Sequence, residues 1–259
     1  MNTLTTMKKH ILDLRVASVS HVSEKYVMIR LTADFQLPEM MPGQFVEIRV
    51  DNSPSTYLRR PISIHYVDKE SNTLWLLVAK VGEGTKAMAA LHEGDTMNIV
   101  APLGNGFTIA EGKTLLVGGG VGVAPLLYAG KAISDIGGEP VFLLGARSAA
   151  DLLELERFKG IGRVYVTTED ASQGEKGFVT NHSIWHEEAF DRIAVCGPKP
   201  MMVAVARLAR ELHTPCEVSL ENMMACGLGA CLCCVEKTKD GNVCVCTEGP
   251  VFDIEKLNW

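Results

Sequence analysis

Cysteines stand at positions 196, 216, 226, 231, 233, 234, 244 and 246, and six of these eight fall within the last 34 residues. A disulfide framework spreads its cysteines through a small secreted domain. Crowding at one end of a 259-residue chain points instead to a metal site. Cys226, Cys231 and Cys234 read C-x₄-C-x₂-C, the spacing of plant-type [2Fe–2S] centres. A rigid cluster core needs thiolates converging from a loop that wraps it closely. Gly227 and Gly229 let that loop take positive φ and turn backbone N–H groups towards the sulfurs. Such hydrogen bonds help set a cluster's reduction potential.

The fourth ligand must come from Cys244 or Cys246. Two residues apart on an expected strand, they share a face, and alternation cannot choose between them. Cys246 is favoured, because it stands at the strand end before Thr-Glu-Gly-Pro, where a turn would swing it inward. Cys233 reads as a spare thiol, since using it breaks the x₂ spacing, and Cys216, after Pro215, reads as a small buried hydrophobe. Four thiolates also suit a structural zinc, but zinc ribbons more often use two C-x₂-C knuckles, and here there is one.

Ahead of this segment the hydrophobic rhythm changes once. Up to residue 110, Leu12/Leu14/Val16, Val27/Ile29/Leu31 and Val46/Ile48/Val50 alternate with polar residues, and Leu74 to Ala79 form a denser run. Breakers such as Pro42-Gly43, Gly94-Asp95 and Pro102 separate them, which predicts a closed antiparallel barrel over 1–110. Over 111–215, short apolar strands at 114–117, 141–144, 164–167 and 193–195 alternate with helical stretches ending at Ile136, near 151–158, near 181–190 and near 200–213. That alternation predicts right-handed crossovers and a doubly wound parallel sheet. The expected fold class is therefore multidomain α+β: a β-barrel, a parallel α/β domain and a small C-terminal cluster domain over 216–259.

Apolar residues at 47% and charged residues at 22% describe an ordinary globular chain. A net charge of −6 argues against general nucleic-acid binding, which wants a basic face. Asp13 and Arg15 interrupt any signal-peptide core after Lys8 and Lys9, and the longest uncharged stretch, 114–130, holds five glycines and Pro125. The expectation is a cytoplasmic protein without a membrane span; Met1 and Met7 are both candidate starts.

Gly118-Gly119-Gly120-Val121-Gly122-Val123-Ala124-Pro125 follows an expected strand and opens a helix. Glycines let backbone approach a pyrophosphate, the helix N-terminus supplies donors, and Pro125 suits a first turn. Alone this is a weak signal, since a tight structural turn reads the same way. A second strand-to-helix junction, Cys196-Gly197-Pro198-Lys199-Pro200-Met201, belongs at the same carboxyl edge of the sheet. In the barrel, Leu58-Arg59-Arg60-Pro61-Ile62-Ser63-Ile64 lies between strands and could hold a phosphate bidentately, and Val81-Gly82-Glu83-Gly84-Thr85 reads as a turn that could equally be a phosphate-contacting loop. From composition alone, a solvated arginine pair on an edge strand is the preferred reading.

Arg-Pro-Ile-Ser, then Gly-Gly-Gly-Val-Gly-Val-Ala-Pro, then Cys-Gly-Pro-Lys-Pro-Met, resembles the ferredoxin-reductase superfamily of flavoproteins. The segments Glu221 to Cys231, Cys246-Thr-Glu-Gly-Pro-Val-Phe252 and Thr168 to Gly177 narrow this: they look like the electron-transfer subunits of dihydroorotate dehydrogenase B, over essentially the whole chain. The resemblance implies FAD on the barrel, NAD on the α/β domain and a [2Fe–2S] cluster on Cys226, Cys231, Cys234 and Cys246. It implies that Arg60, with Pro61 and Ile62, meets the FAD pyrophosphate, and that Ser63 lies near the flavin ring. Leu77, Val78, Ala79, Gly84 and Thr85 would line the rest of that site. Gly119, Gly120, Gly122, Ala124, Pro125, Gly197, Pro198 and Met201 would hold the dinucleotide, with Cys196 near the nicotinamide as the catalytic position. Arg147-Ser148 could accept a 2′-phosphate and Asp151 opposes it; the resemblance favours NAD over NADP.

The resemblance also implies a partner, an FMN-containing subunit that oxidises dihydroorotate, in a heterotetramer of two plus two that serves pyrimidine biosynthesis. Three rivals stand beside it: an oxygenase reductase component, the small subunit of an NADH-dependent ferredoxin:NADP or sulfide reductase, and a non-enzymatic zinc scaffold. The 11 residues between Cys234 and Cys246 are too few for the ferredoxin domain of the first.

Overall fold

The structure is a computed structural model that describes residues 8–259, so the first seven residues of the expected barrel, with the starts Met1 and Met7, lie outside the described residues. Seven strands build the N-terminal sheet: β1 (His10–His21), β2 (Tyr26–Thr32), β3 (Phe45–Ile48), β4 (Arg60–Ser63), β5 (Tyr66–Asp68), β6 (Thr73–Ala79) and β7 (Thr96–Leu103), in the order β4-β3-β7-β1-β2-β6-β5, with every pairing antiparallel. The sheet curls on itself, and His65 N–H, just past β4, donates to Trp75 O of β6 at 3.0 Å. Leu14, Val16, Ile29, Leu31, Ile48 and Leu76 fill the inside, each fully buried. The alternation in the sequence thus marks the barrel's inward face. A first helix, α1 (Glu83–Ala89), follows β6.

The second sheet comprises β8 (Lys113–Gly119), β9 (Glu139–Ala146), β10 (Arg163–Thr168), β11 (Glu175–Lys176), β12 (Arg192–Cys196) and β13 (Cys216–Ser219). Its order is β11-β10-β9-β8-β12-β13, parallel throughout. Strand order therefore reverses between β8 and β12, the place where open α/β sheets leave a ligand crevice. The helices are α2 (Ala124–Asp135), α3 (Leu155–Lys159), α4 (Ile184–Glu187) and α5 (Lys199–Glu211). On α5 the buried stripe Met202, Val205, Ala206 and Ala209 follows helical spacing, while Leu212 is exposed past its end.

The C-terminal segment forms a hairpin, β14 (Val235–Thr238) and β15 (Gly241–Cys244), then a single helical turn, α6 (Val245–Glu248). A last strand, β16 (Val251–Asp253), returns to pair antiparallel with β13 and closes that edge of the parallel sheet. Among the described residues no helix is long and apolar enough to cross a membrane.

Four local expectations are corrected. The helix expected near 151–158 is a 3₁₀ turn at Ala149–Asp151 followed by the short α3, divided at Glu154, whose φ is +53°. The helix expected near 181–190 is a 3₁₀ turn at Val179–Asn181 and the single turn α4. There, side chains take the backbone donors a helix would use: Asn181 Oδ1 accepts from Phe178 N–H and His182 Nδ1 from Ile184 N–H. Arg60–Ser63 is itself the edge strand β4 and does not lie between strands. Cys244 and Cys246 do not share a strand, because the chain turns from β15 into α6 between them.

Candidate functional site

On the barrel, the two neighbouring arginines part company. Arg59 turns inward, and its Nη1 donates to Glu47 O at 3.1 Å and Asn98 O at 3.2 Å while Nη2 donates to Asn98 Oδ1. Burial lowers its pKa from the ordinary guanidinium value. Arg60 is tied only to local carbonyls, Leu58 O at 2.8 Å and Arg59 O at 3.2 Å, which leaves its remaining N–H donors for a ligand. The start of α1 faces it. A methyl group built at Gly84 would lie 3.3 Å from Arg60 Nε, so glycine keeps this approach narrow but open. Thr85 Oγ1 organises the turn, accepting from Val81 N–H at 3.0 Å and Gly82 N–H at 3.1 Å. The segment expected as a turn, 81–85, is thus the capped start of a helix.

Strand alternation sorts the other barrel candidates. Pro61 and Ser63 pair across β3 with Glu47 and Phe45, on the face away from the barrel core, whereas Ile62 packs against that core. On β6, Val78 belongs to the barrel core and Leu77 to the cluster that includes Val123 and Ala124 at the start of α2. Val78 thus offers a ligand only its backbone, while Leu77 and the half-buried Ala79 are on the face turned to the α/β sheet.

At the reversal point of the parallel sheet, the turns after β8 and β12 touch. A methyl group at Gly122 would sit 2.5 Å from both Cys196 O and Gly197 Cα, and one at Gly119 2.6 Å from Met201 Sδ. At Gly122, where two backbones approach this closely, glycine is obligatory, whereas at Gly119 the neighbour is a flexible side-chain end. Gly120, at φ +56°, has nothing within 4 Å of its open side, and this face and the start of α2 border the crevice. Pro125 lies in the first turn of α2 and Pro198 caps α5. Cys196 is buried at this junction; burial pushes its thiol well above the ordinary range, so it stays neutral. Asp151, which could oppose a 2′-phosphate, is engaged by Lys25 at 2.7 Å and Ser148 at 3.0 Å.

The cysteine loop brings its thiols together in two pairs. Cys226 is hydrogen-bonded to Cys231; burial pushes the Cys226 thiol up, but N–H groups of Leu228, Cys231 and Ala230 more than offset it, to about 6. The Leu228 N–H lies 3.3 Å from Cys226 Sγ, and the loop takes positive φ at Gly227, Gly229 and Leu232. The second pair is Cys234 and Cys246. Burial, then the bond to Cys234, raises Cys246 to about 12, opposed by the Gly229 N–H at 3.1 Å from its Sγ. Cys246 N–H also donates to Cys234 Sγ at 3.4 Å. Cys244 donates to Gly229 O at 3.8 Å and is also hydrogen-bonded to Cys234, beside the second pair, and Cys233 is exposed. Among the described residues no three ligating side chains converge on one point as a single ion would need. Close thiols with amides aimed at sulfur are a donor set that would fit a two-iron cluster.

Comparison with known proteins bears on this arrangement. Residues 221–258 match the family model described as the iron–sulfur cluster binding domain of dihydroorotate dehydrogenase B, and residues 116–207 match the oxidoreductase NAD-binding domain. The dihydroorotate dehydrogenase B (NAD(+)) electron transfer subunit of Shouchella clausii is 40% identical over 224 residues, covering 83% of this chain and 86% of its own length. That of Caldanaerobacter subterraneus is 40% identical over 241 residues, covering 91% and 93%. The chain belongs to this family of electron transfer subunits. It is an NAD-linked iron–sulfur oxidoreductase subunit, and membership implies a catalytic partner subunit. Among solved structures, one of an NADH-dependent reduced ferredoxin-NADP oxidoreductase superposes with a TM-score of 0.86 at 31% identity, covering 95% of this chain and 90% of that one. Phthalate dioxygenase reductase, at TM-score 0.63 and 19% identity, shares the fold.

Two residues of the site region were not singled out from the sequence. Glu47, between Val46 and Ile48, reads as the solvent face of a strand, yet it is fully buried beneath the cysteine loop. His65 carried no motif, yet its Nδ1–H reaches Ala124 O. Both act across domains, which no local pattern reports.

Proposed function

We propose that this chain carries electrons from a partner subunit that oxidises dihydroorotate to NAD⁺, through a [2Fe–2S] cluster on Cys226, Cys231, Cys234 and Cys246 and an FAD on the barrel. The observation that carries the reading is the convergence on two adjacent strands. Glu47 of β3 packs on Gly227 of the cysteine loop, and His65, two residues past β4, bonds Ala124 in the dinucleotide turn. A flavin bound along β4 therefore has the cluster on one side and the nicotinamide crevice on the other. NAD⁺ takes two electrons as hydride and the cluster gives one at a time, so bound FAD supplies the conversion.

The chain's own residues bind and orient. Arg60 offers its free N–H donors to the pyrophosphate, with Pro61 and Ile62 fixing the strand and Gly84 and Thr85 forming the facing turn. Ser63, Leu77 and Ala79 border the flavin ring, Val78 by its backbone. Gly119, Gly120, Gly122, Ala124 and Pro125 admit the dinucleotide; Gly197, Pro198 and Met201 form the opposite wall. The neutral Cys196 thiol sits beside the nicotinamide and adds no charge there.

The three functional units run over 1–110, 111–215 and 216–259. The partner holds FMN, in an assembly of two plus two, in the cytoplasm. Its docking face is the rim of the cysteine loop, where Met223, Leu228 and Leu232 stand exposed around the exposed Cys231. The deciding experiment is a visible and EPR spectrum of the reduced chain, followed by co-purification with its partner. Flavin and a rhombic cluster signal are expected, with dihydroorotate-dependent NAD⁺ reduction only when the partner is present. Dihydroorotate oxidation by the isolated chain, or stoichiometric zinc in a colourless protein, would refute it. The close superposition on the NADH-dependent reduced ferredoxin-NADP oxidoreductase supports one second reading, distinguished by which partner co-purifies.

A further inference from the structure

We propose that Glu47 is a positioning residue for electron transfer: its carboxyl, buried between the flavin-bearing strand and the cysteine loop, in its ionised form lowers the cluster's reduction potential and so drives electrons towards the flavin. The inference rests on the proposed cluster. On β3, Val46 and Ile48 point into the barrel core, so Glu47 points out, on the face it shares with Pro61 and, two residues along β4, Ser63. The cysteine loop covers that face. A methyl group at Gly227 would lie 2.8 Å from Glu47 Cγ, 3.4 Å from its Oε1 and 2.9 Å from Leu103 Cδ1. The side chain is 0% exposed, and neither carboxylate oxygen has a hydrogen-bond partner among the described residues.

An unpartnered buried carboxyl is costly, and a glutamine or methionine would fill the same space without a charge. Packing alone therefore gives no reason for glutamate here. The charged groups that face it are Arg59 and Arg60 from the barrel and Cys226 from the loop; burial and Cys226 raise its pKa to about 7, against the two arginines. Arg59 is turned to backbone and to Asn98, so it does not form an ion pair with the carboxylate. A negative charge held against the loop opposes the arrival of a further electron on the cluster, and burial keeps solvent from screening it. One electron leaves the reduced cluster at each transfer, and two such transfers reduce one flavin, so a more reducing cluster favours both.

The test is an EPR-monitored redox titration of the full chain and its Glu47→Gln variant at about pH 8.5, above the value of about 7 to which burial raises Glu47. At the wild-type midpoint, the variant's ratio of reduced to oxidised cluster is expected to rise about tenfold, equivalent to about 59 mV for one electron. Its iron content and g-values should match the wild type, and Glu47→Asp, which keeps the charge, should not rise. Glu47→Met is neutral and of similar length; it carries the same expectation and decides the matter if the glutamine variant loses iron. Neutral variants whose ratio stays within about twofold of the wild type overturn the inference while leaving the cluster in place. A wild-type chain with no cluster signal would overturn the proposed function and this inference with it.

Discussion

His65 Nδ1 lies 2.7 Å from the carbonyl oxygen of Ala124, which ties the segment just past β4 to the first turn of α2. The ring is fully buried and its Nε2 has no partner among the described residues. Burial lowers its pKa from 6.5 to about 4; the Ala124 bond opposes this and Arg157 reinforces it. Between those two values the unfolded chain binds a proton that the folded chain does not. Stability from this group is therefore complete above about pH 6.5 and is lost as pH falls towards about pH 4, by about 3 kcal/mol in all. Urea midpoints at about pH 7 and about pH 5 should show the loss, and His65→Asn, which keeps an N–H donor but does not titrate, should flatten it.

Gly122 is held where no larger residue fits, since a methyl group would meet backbone atoms of Cys196 and Gly197 at 2.5 Å. Neither neighbour is the flexible end of a side chain, so Gly122→Ala must push the two turns apart. Overpacking of this kind costs about 1–3 kcal/mol. The same displacement widens the dinucleotide crevice, so KM for NADH should rise while flavin content is unchanged. Thermal denaturation and steady-state diaphorase kinetics read the two effects separately. An unchanged KM would place the dinucleotide elsewhere.

The barrel and the parallel sheet were legible because burial in each repeats along the chain, at every second residue from His10 to Val16 of β1 and as short apolar runs in β8 and β9. The two glycine turns were legible because close backbone contact leaves only glycine as a choice. Pieces of helix were lost where side chains compete for backbone donors, as at Asn181 and His182. Glu47 and His65 were invisible for a different reason. Their significance depends on what folds over them, the cysteine loop in one case and α2 in the other.

The turn into α6 separates the two candidate fourth ligands. Both thiols are within hydrogen-bond reach of Cys234, but the Gly229 amide points to Cys246 Sγ, whereas Cys244 contacts the Gly229 carbonyl. Amides favour a thiolate and a carbonyl oxygen disfavours one. Cys246→Ser should therefore lose the cluster or change its EPR spectrum. Cys244→Ser and Cys233→Ser should keep about two irons per chain, the content of one such cluster. Iron and sulfide analysis of the three variants decides, and retention of a native spectrum in Cys246→Ser would move the ligand to Cys244.

Arg59 and Arg60 are chemically identical and adjacent, and their surroundings predict opposite outcomes on truncation. Arg59 satisfies Glu47 O, Asn98 O and Asn98 Oδ1, partly out of water. Arg59→Ala leaves those acceptors to solvent or unpaired, at a cost of about 2 kcal/mol in stability. Flavin affinity should change little. Arg60 bonds only to carbonyls of its own turn, so Arg60→Ala should stay within about 0.5 kcal/mol of the wild type in stability. It would remove a charge-assisted contact with the pyrophosphate, worth about tenfold to a hundredfold in FAD dissociation constant. Flavin fluorescence on dilution measures the affinity and urea denaturation the stability. A variant pair in which Arg59→Ala loses flavin and Arg60→Ala does not would reverse the assignment along β4.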